Sequence, residues 1–75
     1  MRMERTEKEP MHWADITAAI YKAGTTPKTI ADDESVSPTT VSEVIRGTRT
    51  SKRIANAISA ITSMPVNQMW PGQYS

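Results

Sequence analysis

No cysteine occurs in the 75 residues, so neither a disulfide nor a thiolate metal site is available. Phenylalanine is absent too, and the single histidine, His12, has no second ligand or catalytic partner at useful spacing. No residue set therefore exists to carry catalysis, a metal or a cofactor, and no small-molecule ligand is expected. No apolar run approaches the roughly 18 residues of a membrane-spanning helix. Residues 1–10 are charged and lack the apolar stretch of a secretory signal. The expected location is the cytoplasm, with no membrane contact. Also missing is the alternating β-branched pattern of a strand, as is any internal repeat.

Charge of one sign is scarce overall, the formal net charge being +1, but it is unevenly placed. Residues 1–10 balance three bases against three acids. Residues 11–45 set Lys22 and Lys28 against Asp15, Asp32, Asp33, Glu34 and Glu43. Residues 46–53 hold Arg46, Arg49, Lys52 and Arg53 and no acid. A local basic cluster is what phosphate binding requires, because each neutralised phosphate releases counterions. The plain alternative is a solvated loop.

The 1–10 segment reads as a disordered arm closed by Pro10, and residues 11–75 as one domain. In that domain alanine and isoleucine dominate, and helices with short links follow. Trp13, Ile16, Ile20 and Ala23 recur at helical spacing, which predicts a first helix over about 12–23, ended by Gly24. Thr26 as N-cap and Pro27 at the first helical position open a second, running to Asp33 or Glu34. Ser37 and Pro38 repeat the same start signal for a third. Its apolar face is Val41, Val44 and Ile45, and Gly47 closes it. A fourth is capped by Thr50 or Ser51 and striped with Ile54, Ala57, Ile58 and Ile61. Pro65 breaks it, and residues 66–70 allow one more helical turn. The expected class is all-α, a bundle of four or five helices.

The informative unit is 27–47. Helices two and three are joined by only residues 34–37, which forces a sharp crossing. Ala31 is small enough for close packing, Val36 plugs the angle, and Val41 anchors the third helix inward. This is the spacing of a DNA-binding helix-turn-helix, with Ser35 where that pattern usually has glycine. A serine in a left-handed turn costs about 1 kcal/mol. On the outward face of helix three lie Pro38, Thr39, Ser42, Glu43 and Arg46, candidates for reading base edges. Glu43 would accept from a cytosine amino group or orient Arg46, three residues on. Thr26, Lys28, Thr29 and Ser37 at the helix starts, with Thr48, Arg49, Thr50 and Lys52 after helix three, are candidates for the DNA backbone. The acids Asp32, Asp33 and Glu34 sit unfavourably at a helix C-terminus, where they would keep phosphate away. Three adjacent acids cannot converge on one divalent ion.

Several short segments together resemble the Ner family of small regulators from Mu-like transposable phages and their bacterial relatives. They are Trp13-Ala14-Asp15-Ile16, Lys22-Ala23-Gly24, Ser37-x-x-Thr40-Val41, Ile54-Ala55-x-Ala57-Ile58 and the closing Met69-Trp70-Pro71-Gly72-Gln73-Tyr74. The resemblance spans residues 11–74. It implies a lambda-repressor-like fold and a regulator that binds double-stranded operators and represses early phage promoters. A bacterial activator of the same fold, an interaction module that kept the fold without its DNA contacts, and a single-strand binder are the rival readings.

Trp13 and Trp70 read as core residues packing together and tethering the chain ends. Tyr21 reads as half-buried, Tyr74 as packed on the bundle, and Met64 and Met69 as gap-fillers. One recognition helix covers few base pairs, so a second copy on a two-fold site is expected. No apolar helix is left over for a stable dimer.

Overall fold

A computed structural model of the chain describes residues 11–74; the expected arm at 1–10 lies outside the described residues, as does Ser75. Five helices follow one another: α1 (Trp13–Lys22), α2 (Pro27–Glu34), α3 (Pro38–Arg46), α4 (Lys52–Thr62) and α5 (Val66–Met69). No strand forms among the described residues.

Local chemistry sets most boundaries. Thr26 and Ser37 are extended residues whose hydroxyls accept the N–H of Thr29 and Thr40, at 3.1 and 3.2 Å. Proline follows each at a position where no N–H is needed. Ser51 caps α4 in the same way through the Ile54 N–H. For α1, the His12 Nδ1 accepts from Ala14, a capping role its sequence position did not announce. Three helices end in the same reversal. The N–H of Thr25, Val36 and Thr48 reaches back to the carbonyl of Ile20, Ala31 and Glu43, respectively. The residue in the left-handed conformation is Gly24, Ser35 or Gly47.

Packing completes the fold. The core gathers Ile16 and Ile20 from α1, Ile30 and Ala31 from α2, and Val41, Val44 and Ile45 from α3. Ile54, Ala55 and Ile58 of α4 join them, with Met69 and Trp70 below. No polar or charged residue is buried among the described residues. Ala31 is fully buried and Val36 packs against the core, as the short link requires. On α4 the buried line passes through Ala55, leaving Ala57 and Ile61 half-buried at its edge.

The aromatic expectations divide. Trp70 is buried, donates from Nε1 to the Ile45 carbonyl at 3.2 Å and meets Tyr74 edge-on. Trp13 is not core: it is 44% exposed at the first turn of α1, and the buried side of that helix begins only at Ile16. The chain ends are tied instead by a backbone bond, Met11 N–H to the Met69 carbonyl at 3.2 Å. Tyr21 is exposed rather than half-buried, because α1 turns Ile20 inward and its neighbour out.

Candidate nucleic-acid interface

α2 and α3 meet at residues 34–37, and the link works because Ser35 accepts φ 59, ψ 41. That conformation reverses the chain within one residue and delivers Val36 onto the core. α3 then buries Val41, Val44 and Ile45 and leaves Pro38, Thr39, Ser42 and Arg46 exposed, with Glu43 half-buried. The five expected base-reading residues therefore share the outward side of one helix.

The two helix starts are built alike. In each, a capping hydroxyl also contacts the threonine hydroxyl three residues on: Thr26 to Thr29 at 3.0 Å, Ser37 to Thr40 at 3.1 Å. One such bond uses one hydroxyl proton of the two, so each pair keeps an O–H for an outside acceptor. At α2 the Thr29 and Ile30 N–H groups are taken, leaving that of Lys28 facing outward with no partner among the described residues. A helix start that keeps an N–H, a hydroxyl and a lysine suits a phosphate oxygen.

Each base of the 46–53 cluster has neighbours of its own. The Arg46 guanidinium lies over the Trp13 ring, 4.8 Å from its centroid. Arg49 donates from Nε to the Glu43 carboxylate at 2.7 Å. Arg53 donates to both the Glu34 carboxylate, at 2.7 Å, and the Glu34 carbonyl, at 2.9 Å. Lys52 lines a surface groove with Asn56, Pro65, Val66, Asn67 and Tyr74. One expectation changes accordingly. Glu43 orients Arg49, not Arg46, because the reversal at Gly47 swings the following loop back over α3; the Arg49 N–H also reaches the Glu43 carbonyl. Glu34, ill-placed for its own helix dipole, is held by Arg53 from α4.

Behind the loop, the C-terminal segment holds the exit of α3. Gln73 Nε2 donates to the Gly47 carbonyl at 3.2 Å, and the Ser51 N–H donates to the Tyr74 hydroxyl at 3.2 Å. Thr48 turns its hydroxyl onto the Glu43 carbonyl, while Thr50 is exposed. Trp13 is the neighbour of Arg46 that pattern reading missed. Its stripe with Ile16 and Ile20 pointed inward, and no local signal pairs it with a residue of α3.

Two packed helices joined by a tight left-handed turn, the second displaying a polar face, define a helix-turn-helix DNA-binding domain. The chain belongs to the winged helix-turn-helix DNA-binding family, whose sequence model matches residues 10–75. The wing in that description has no β-hairpin here: among the described residues α4 is followed by the single turn of α5. No curated protein and no solved structure matches the chain. No helix among the described residues is long and apolar enough to cross a membrane, and none of their His, Asp and Glu side chains group to hold a metal.

Proposed function

We propose that this protein is a sequence-specific regulator of transcription that binds double-stranded DNA, and specifically a Ner-like repressor of early phage or prophage promoters. The observation that carries the reading is the outward side of α3, with Thr39, Ser42 and Arg46 all exposed on a helix rigidly backed by Val41, Val44 and Ile45. In this reading α3 enters the major groove. Thr39 and Ser42 approach base edges, a threonine methyl touches a thymine methyl, and Arg46 pairs with a guanine. The starts of α2 and α3 (Thr26, Lys28, Thr29, Ser37) and the loop after α3 (Arg49, Thr50, Lys52) grip the phosphates on either side, while Thr48, whose N–H and hydroxyl both donate to the Glu43 carbonyl, shapes that loop.

Net charge of +1 argues that the grip is local, not a diffuse field. α3 spans only nine residues, so it reads a short half-site, and two copies on a two-fold operator supply the remaining specificity. In this reading the copies pair on the operator itself. The sign of regulation rests on the resemblance alone.

The decisive experiment is a salt titration of binding to random-sequence duplex and to the promoter beside the protein's own gene. Affinity should fall steeply with salt on both and be greater on the promoter. Steep dependence without preference would mean non-specific packaging of DNA. No duplex binding at low salt would sink the reading and favour an interaction module.

A further inference from the structure

We infer that Trp13 is a specificity-determining residue of the DNA interface: its ring positions Arg46 so that the guanidinium meets a base with its hydrogen-bonding edge free. The inference rests on the base-reading role proposed above for α3.

Arg46 is the last residue of α3 and is exposed, and a long, unrestrained side chain there would lose much rotamer freedom on binding. The neighbour best placed in sequence to restrain it, Glu43, is taken by Arg49 at 2.7 Å. Among the described residues the Arg46 guanidinium makes no hydrogen bond and no ion pair; its contact is with the Trp13 ring, at 4.8 Å. The difference between these two restraints is chemical. A carboxylate would occupy the N–H edge that reads guanine O6 and N7. An aromatic face holds the cation through its π-system and leaves the in-plane donors available.

Trp13 is itself held. His12 packs against it with ring centroids 5.3 Å apart, and the His12 ring is fixed by its Nδ1 bond to the Ala14 N–H. α1 is in turn anchored by Ile16 and Ile20. A path of contacts thus runs from the core, through the α1 cap, to one cation on α3. This also accounts for an exposed tryptophan at the N-terminal turn of α1 that the core does not use.

The test is a double-mutant cycle. A preferred duplex is first selected from a random library with the wild-type chain, then affinity for it and for random duplex is measured with W13A, R46A and the double variant. Because Trp13 is exposed at a helix start, W13A folds, which a thermal scan verifies. W13A should lower the selected-to-random affinity ratio roughly two- to fivefold, the scale of an exposed cation–π contact. The double variant should be no worse than R46A, and W13F should restore most of the loss where W13L does not. Additive losses, or rescue by W13L, would overturn the role of Trp13 while leaving α3 as the reader. A silent R46A would overturn the base-reading role of Arg46 and this inference with it.

Discussion

Replacing Ser35 by glycine should stabilise this protein. Ser35 adopts φ 59, ψ 41, and its hydroxyl makes no hydrogen bond among the described residues that glycine would forfeit. A Cβ in the left-handed region costs about 1–2 kcal/mol. Glycine returns roughly 0.5–1 kcal/mol of that through the greater freedom of the unfolded chain. The net gain is about 0.5–1 kcal/mol, and for a domain of this size that raises Tm by roughly 2–8 °C. Ser63, at φ 61 after α4, provides a second instance of the same conformation in a different setting. S35G and S63G should therefore rise by similar amounts, and their gains should add, since the sites sit at the ends of different helices. Circular dichroism at a helical wavelength during heating gives the assay, with S35A as the control that keeps the Cβ. Affinity for a selected duplex should not change with S35G. A fall in Tm, or an S35A that matches S35G, would refute the strain argument.

Further outcomes are expected. Ser37→Ala removes the cap of α3 and should cost about 1 kcal/mol, read as a lower urea midpoint at unchanged slope. Trp70→Ala should cost about 3–5 kcal/mol, a large share of what so small a domain possesses, leaving little folded protein at 25 °C by near-ultraviolet dichroism. Arg49→Ala and Lys52→Ala should each weaken random and selected duplex alike and lower the salt slope by about one, whereas Thr39→Ala should cost about 1–3 kcal/mol on selected duplex only. Glu43→Ala, by releasing Arg49 and deleting an acid, should tighten binding to random duplex, an effect that high salt erases.

What could be read from the sequence was what is local. Thr26-Pro27 and Ser37-Pro38 announce helix starts because cap and proline act within one turn, and Gly47 announces an end for the same reason. Ser35 was legible as a glycine substitute because the link is too short to reverse any other way. The partners of the charged side chains were not legible. Glu43 has Arg46 three residues away on its own helix. Arg49 won because the reversal at Gly47 folds the loop back, a geometry set by the whole exit turn. Glu34 and Arg53 lie 19 residues apart and meet only because α4 returns beside the α2–α3 link. Trp13 fits an apolar stripe by spacing, yet spacing does not say where the core stops along a helix axis. The exposure of Pro38, Thr39, Ser42 and Arg46 on α3 was legible, because Val41, Val44 and Ile45 fix which side faces in.

The clasp on the exit of α3 has a consequence for synthesis. Trp70, Gln73 and Tyr74 hold Ile45, Gly47 and Ser51, partners 23 to 26 positions earlier in the chain. A ribosome makes α2, the turn and α3 well before it makes the residues that fasten them. A nascent chain that has not yet reached Trp70 thus carries α3 without its fastening, so the exit of α3 is set only once residues 70–74 have been made.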